Sequence, residues 1–445
     1  MPRKKKEIEE PVLRPIEVLP IGEATEQAIL NAASYIDNQR ALANVKDGCK
    51  VSYRRLIWSA LQFPRGVMQP SVEVINKMAS YHPHSLDSMK LLSASFVRTG
   101  IFSGTGSFGT TSILGDVKEP AAPRYTHMRL SDLYYDQIAP LLSCVDMVES
   151  PVGALEIDYC PLALPLCLSL KGLVSGIGVG ISTVYPNFSP KSLYLAYKNN
   201  NPQLLEPNVD LIMDKNNSEL ESLWTTGKGR IIYSYKLSPY TNEDGKPGFL
   251  FEGDTCIFTP NLRKINKYVD QGQVFIEDMT DMNGPKMFVG LISNRGNLRI
   301  EDLEKLCRQC CFDATVYQLN VTDGTTCYRI PLYDWINYTY RRYIKLLERV
   351  NLEKIEKVKF EIKVQESLPE IANYIINVNP GATDKEICTN LGIEPEVVST
   401  VMSKPIGQLR KNKDNTGKIK ALKQRLKDLL VFDPELYVKN LIEKL

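Results

Sequence analysis

Two runs of apolar residues near the end of the chain restrict its fold more than any other feature. Ile336, Tyr340, Tyr343, Leu347 and Val350 recur at alternating spacings of four and three. Ile419, Leu422, Leu426 and Leu429 repeat that rhythm about 70 residues later. A helix with such a stripe must bury it against another helix, because this is the seam spacing of a coiled coil. Each run lasts two heptads by this reading. Together they predict an antiparallel hairpin from about residue 335, with a small helical unit at its tip around 366–405.

The rest of the chain has a different texture. Residues 1–12 are a charged tail beginning Met1-Pro2-Arg3-Lys4-Lys5-Lys6, read as a solvated arm. Ala24–Tyr35, Tyr53–Trp58 and Val72–Ala79 read as helices, and Pro83 biases His82 to an extended backbone. Three short helices followed by a Gly-rich stretch fit a helix-turn-helix module with a wing. Residues 100–127 read as loop and 128–147 as helix. From 150 to 330 short β-rich runs such as Arg230–Tyr233 and Gln273–Ile276 alternate with polar turns, which predicts an α+β unit.

Composition excludes several classes. Lys and Arg total 54 against 52 Asp and Glu, so any nucleic-acid face must come from local clustering. Ten cysteines without a regular framework, and a basic N-terminus with no apolar stretch behind it, predict a reducing, cytoplasmic setting. No run reaches the roughly 18 apolar residues of a membrane helix. The nearest, Tyr159–Ile181, is broken by Pro161, Pro165 and four glycines, and reads as buried strands and tight turns.

Most of the individual motifs are weak. Gly104-Thr105-Gly106-Ser107-Phe108-Gly109 has dinucleotide-fingerprint spacing, but Pro120 and Pro123 follow where a helix is required, so it reads as a flexible loop. Cys307 and Cys310 lack a second ligand pair and read as structural thiols on a helix. His82, His84 and His127 are the only histidines. They suit a metal site, a catalytic base, a phosphate contact or a structural role, and the sequence alone leaves these open. There is no Walker loop and no Asp-x-Asp pair, so neither ATPase chemistry nor a two-metal acidic cluster is expected from this chain.

Two segments say more. In Pro123-Arg124-Tyr125-Thr126-His127 a phenol stands beside a guanidinium. A phenol is a poor nucleophile until a cation or base assists it, and Arg124 is a permanently charged, bidentate phosphate ligand. In Ser175-Gly176-Ile177-Gly178-Val179-Gly180 glycine occupies every second position. That is either a tight turn between buried strands or a thin backbone carrying an apolar wedge between base pairs.

These segments, in this order, resemble the DNA breakage-and-reunion subunit of type IIA DNA topoisomerases, the gyrase A-like family. The likeness rests on Val45-Lys46-Asp47-Gly48-Cys49-Lys50 with Arg54-Arg55, on Tyr81-His82-Pro83-His84, and on Gly104–Gly109. It continues through Arg124-Tyr125-Thr126, Gly176–Gly180 and Thr226-Gly227-Lys228-Gly229. One departure is Ser85, where the family usually has glycine. The length, without a DNA-wrapping C-terminal domain, looks most like the medium subunits of T-even-type bacteriophage topoisomerases.

The resemblance implies a multidomain α+β architecture: a basic tail (1–20), a winged-helix cleavage domain (21–148), an α/β tower domain (149–333), and a long antiparallel coiled coil with a helical dimerisation tip (334–445). It implies that Tyr125 attacks DNA and retains the 5′ end, and that Arg124 stabilises the scissile phosphate. Lys46, Lys50, His82 and His84 would contact the DNA backbone, Ser175 would lie near phosphate, and Ile177 would wedge into the duplex. Implied partners are double-stranded DNA, a second copy of the chain, and a separate subunit carrying the ATP site and most of the Mg2+ ligands, with no membrane. The alternative reading is a DNA-bending architectural protein without catalysis.

Overall fold

A computed structural model describes residues 20–113, 117–280, 284–292, 298–404 and 415–445. The charged tail lies outside the described residues except for Pro20. The chain is a mixed α+β molecule dominated by one helix of 42 residues, Leu332–Asn373. No helix among the described residues is long and apolar enough to cross a membrane.

That helix runs well beyond the two heptads expected. After Val350 the buried positions continue at Ile355, Val358, Ile362, Leu368 and Ile371. A five-residue step from Val350 to Ile355 interrupts the heptad rhythm, which is why the seam is hard to follow in the sequence. Its base is anchored in the main core. Trp335, Ile336, Tyr340 and Tyr343 are almost fully buried, each stabilising the fold by about 1.5–3 kcal/mol. The Trp335 Nε1–H also donates to Val45 O at 3.0 Å, and the Tyr343 hydroxyl to Gln137 O at 3.0 Å.

The return helix, Thr416–Leu430, lies antiparallel to the long one. Asn351 bonds to Leu429 O and Asn415 to Gln365 O, so equal steps along the two helices run in opposite directions. Ile419, Leu422, Leu426 and Leu429 are half-buried on that seam. At the far end the short helices Asp384–Leu391 and Pro395–Met402 enclose a second small core of Ile387, Val397, Val398 and Val401 against Leu368 and Ile371.

Two antiparallel sheets fill the middle of the chain. One orders its strands Ile212–Met213, Lys228–Ser234, Phe312–Gln318, Ser182–Tyr185, Val174–Ile177. The other orders Lys236–Thr241, Pro247–Glu252, Lys286–Leu291, Val274–Asp278. The runs at 230–233 and 273–276 are strands, as their β-rich composition suggests. Of the stretch Tyr159–Ile181, residues 159–168 are buried but largely irregular and lead into the one-turn helix Leu166–Ser169, so the expected strands are missing there, whereas Val174–Ile177 is a strand. Prolines at 161 and 165 withdraw two backbone donors that a ladder needs.

The N-terminal third packs helices Val51–Leu61, Ser71–Ala79 and Leu86–Arg98 on a three-stranded sheet. Its strands are Gln69–Pro70, His127–Leu130 and Phe102–Thr105, in that order. Residues 128–147 are therefore not one helix. Met128 and Leu130 alternate inward on the central strand, and only Asp132–Ile138 is α-helical. Pro140 then forces a short 3-10 turn. Ser85, standing where the resemblance leads one to expect glycine, caps the helix that follows it by accepting from Ser88 N.

Candidate functional site

Tyr125 ends a three-residue 3-10 turn, Pro123–Tyr125, immediately before the central strand of the small sheet. Pro123 opens the turn, its fixed φ suiting a first helical position, and the extended backbone of Thr126 ends it. Thr126 pins it from behind. Its hydroxyl donates to Ser71 Oγ at 2.8 Å, and Ser71 N donates to Thr126 O at 2.9 Å. The turn is thereby fastened to the start of the helix Ser71–Ala79, while Tyr125 itself stays 66% exposed. The Arg124 guanidinium lies 4.7 Å from the centre of the Tyr125 ring. Neither side chain has a carboxylate partner among the described residues, so the pair is open to an anion.

The Gly104–Gly109 stretch starts as a strand, continues as a loop and backs this turn. Gly104 and Thr105 pair with Met128 and His127. Gly106 adopts φ +101°, and a Cβ there would meet Thr126 Cγ2 at 3.0 Å and Tyr125 O at 3.2 Å. The glycine lets one strand end turn closely behind the tyrosine.

The other end of the helix Ser71–Ala79 leads into His82 and His84. A nine-residue helix spans about 14 Å, so the histidines and Tyr125 are set apart along it. His82 is buried. Its Nδ1 lies 3.1 Å from Arg55 Nη1, and its ring meets that of His84 edge-on at 4.1 Å. Arg55 is buried too, and its Nε and Nη2 form a bidentate pair with Glu156 at 2.8 Å each. Burial, aided by the positive neighbours His84, Arg55 and Arg40, pushes the His82 pKa down to about 3. Burial and the cations Arg40 and Arg55 lower that of His84 as well. Both histidines line a cleft of about 490 Å³ with Gln39, Arg40, Ser52, Ser85 and Ser88.

The glycine-rich segment forms a hairpin between strands Val174–Ile177 and Ser182–Tyr185. Ile177 stands 86% exposed near its tip. The alternating glycines have a steric reason: a Cβ on Gly176 would lie 1.9 Å from Ala41 O, and one on Gly178 2.0 Å from Asp37 Oδ1. The hairpin thus lies flat on residues 37–41. Lys50 Nζ donates to Ser175 O at 2.5 Å, and burial lowers its pKa.

Lys50, Ser175 and Ile177 therefore share one strip, and residues 37–41 connect it to the histidine cleft. Lys46 is held elsewhere, ion-paired to Asp158 at 2.5 Å. His127, exposed beside Tyr125, is remote in sequence and partners from the other two histidines. The sequence does not mark Arg40 and the Arg55–Glu156 pair as a unit. Arg54-Arg55 is a visible signal, but Glu156 sits 101 residues away and only the fold joins them.

The donor chemistry for Mg2+ is poor. Among the described residues, one group of Cys, His, Asp and Glu converges, namely Asp47, Cys49 and Cys160. Both Asp47 carboxylate oxygens already accept backbone N–H bonds, from Cys49 and Cys160, and burial raises the carboxyl pKa. Buried thiols beside an occupied carboxylate do not fit Mg2+, which demands oxygen ligands and retains water. Cys307 and Cys310, on the helix Ile300–Cys310, are buried thiols, as expected of structural cysteines.

Residues 40–430 match the family model for the A subunits of DNA gyrase and topoisomerase IV. The chain belongs to that family. It is 28% identical over 248 residues to the DNA gyrase A subunit of Mycoplasma genitalium, covering 50% of this chain and 29% of that protein. It is 24% identical over 349 residues to the DNA topoisomerase 4 A subunit of Borreliella burgdorferi, covering 77% and 52%. A third relative is a probable DNA topoisomerase 2 of Dictyostelium discoideum, 30% identical over 175 residues, or 36% of this chain and 11% of that protein. The matched stretch is thus about half or less of each relative's own length.

Proposed function

We propose that this chain is the DNA-cleaving and rejoining subunit of an ATP-dependent type II DNA topoisomerase, with Tyr125 as the nucleophile. The observation that carries the reading is the exposed Tyr125 under the Arg124 guanidinium, within a chain of the gyrase and topoisomerase IV family. In the cleavage step the Tyr125 oxygen forms a bond to a DNA phosphorus and the bond from phosphorus to the 3′ oxygen breaks. The phenolic proton passes, in net terms, to the released 3′ hydroxyl. One phosphodiester is exchanged for another, so rejoining is the same reaction reversed and needs no energy input. Arg124 offsets the negative charge that builds on the phosphate.

Around that step, Lys46, Lys50, His82 and His84 take DNA backbone contacts, Lys46 by exchanging Asp158 for a phosphate. Ser175 lies near phosphate, and Ile177 enters the duplex as a wedge. Bending DNA in this way costs several kcal/mol, offset by added contacts. In this reading residues 21–148 are a winged-helix domain, 149–333 a tower, and 334–445 a coiled coil whose tip joins two copies. Mg2+ and ATP belong to a separate subunit in a heterotetramer acting in the cytoplasm. Within the family the chain is of the T-even-type bacteriophage medium-subunit kind.

The test is a denaturant trap. The chain, a partner subunit, Mg2+ and end-labelled duplex are mixed, quenched with detergent, and digested with protease. Label on the peptide containing Tyr125 is expected. Label on a different tyrosine would retain the reaction class and refute the site. Failure to trap any adduct, with DNA shown to be bound, would favour the architectural alternative.

A further inference from the structure

The side chain of Arg55 is committed in two directions. Its Nε and Nη2 are taken by both oxygens of Glu156, and its Nη1 faces His82 Nδ1 at 3.1 Å. A guanidinium can only donate, so His82 Nδ1 must accept. The imidazole proton then resides on Nε2, which makes no hydrogen bond within the described protein. His82 lines the 490 Å³ cleft together with Arg40, Ser52 and Ser88.

We infer that Glu156, acting through Arg55, is a positioning residue that fixes His82 as the Nε2–H tautomer, so that a neutral imidazole N–H is presented to a DNA phosphate in the cleft. This rests on the proposed DNA-cleaving function for its ligand but not for its geometry. Three elements distant in the sequence contribute: the helix Val51–Leu61 carries Arg55, the strand Leu155–Ile157 carries Glu156, and the turn after Ser71–Ala79 carries His82.

The arrangement has a physical logic. An imidazolium would attract phosphate more strongly, but its charge would come and go near neutral pH. A buried imidazole beside Arg55, Arg40 and His84 stays uncharged. Its donor direction is then set by the Arg55 fork: the other tautomer would set an Nδ1–H against the Arg55 Nη1 donor, and a flipped ring would offer Nη1 only a carbon. The cationic attraction is left to Arg40 and Lys50, and His82 contributes orientation. Glu156 is required because an Arg55 without its carboxylate would be free to swing toward the incoming phosphate itself.

The chain has three histidines, which makes the question accessible to 15N-histidine NMR. Assignment uses His84→Gln and His127→Gln variants. In the unaltered chain the His82 signals should report Nε2–H with an unprotonated Nδ1, unchanged from pH 8 to pH 5. Glu156→Gln should release the ring into a tautomer mixture that titrates nearer the ordinary histidine range. Glu156→Asp, retaining the charge, should restore most of the wild-type pattern.

With short duplex DNA, Glu156→Gln should weaken binding about tenfold, with the detergent-trapped adduct still forming on Tyr125 at saturating DNA. A wild-type His82 that is Nδ1–H, or that titrates near pH 6.5, overturns the proposal even if Glu156→Gln does not fold. So does a folded Glu156→Gln protein whose His82 signals match the wild type. None of these NMR outcomes depends on whether Tyr125 forms an adduct, so the two readings fail separately.

Discussion

The helix Ser71–Ala79 joins two regions that handle polar chemistry in opposite ways. At its first turn Tyr125 and Arg124 stand in solvent, held through the backbone and hydroxyl of Thr126 rather than through their own side chains. Beyond its last turn His82, Arg55 and Glu156 are buried and hold each other through side chains alone. The difference teaches which constraint each group needs. On the proposed reading a nucleophile must be reachable, and the Tyr125 ring is free while its backbone is fixed. On the same reading a neutral donor must keep one proton in one direction, and the His82 ring is held by Arg55 while burial lowers its pKa.

The sharpest way to break this contrast is at the exposed end. Tyr125→Phe should remove the covalent DNA adduct entirely in the detergent trap while leaving salt-sensitive DNA binding within about twofold. Stability should hardly change, because the ring is largely solvent-exposed. Persistent adduct would remove Tyr125 from the mechanism.

Arg124→Ala and Glu156→Gln should then separate the ends by what they damage. Arg124→Ala should lower single-turnover cleavage by about 100-fold, as for other lost transition-state donors, yet shift unfolding free energy by less than about 0.5 kcal/mol. Glu156→Gln leaves a buried guanidinium without its counter-charge and should cost about 3–5 kcal/mol in urea unfolding. Similar stability losses for the two variants would contradict the difference in burial.

Acid sharpens the comparison further. The folded-state value of His82, about 3, lies below that of an unfolded histidine near 6.5. The unfolded chain therefore takes up the proton first. The stability this provides is complete above about pH 6.5 and is lost as pH falls toward 3. His84, shifted the same way, adds to the trend. His82→Asn should flatten the fall between pH 6 and pH 4 by about 2–3 kcal/mol in urea unfolding, whereas Tyr125→Phe should leave it unchanged.

The smallest expected effect concerns the residue just past the histidines. Ser85→Ala removes the hydroxyl that caps Leu86–Arg98 and should cost about 1 kcal/mol, measured by thermal unfolding. Ser85→Gly should cost only a few tenths.

Much of the candidate site is legible locally. Pro123 before Arg124-Tyr125 announces an interrupted turn, and a turn is found. Glycine at every second position from Gly176 announces close backbone approach, and Ala41 and Asp37 are what approach. Local patterning misleads between 128 and 147. There a single helix is expected, but Met128 and Leu130, two residues apart, share one face only on a strand, and the α-helix begins at Asp132. At Gly104–Gly109 glycine-rich text reads as a plain loop, and what it does not show is the close approach to Thr126, Phe108 and Lys118 at its three glycines.

What the sequence determined by itself is whatever depends on neighbours along the chain: the first two heptads of the helix seam, the turn at Tyr125, the pairing of a phenol with a guanidinium, and a thin glycine-rich backbone around Ile177. What only the tertiary structure decided is whatever depends on a partner far away in the chain. Lys46 finds Asp158, Lys50 finds Ser175, and Arg55 finds both Glu156 and His82. The protonation of His82 belongs to that second kind. An imidazole's proton is placed by burial and by the groups around it, and neither can be read from the residues on either side.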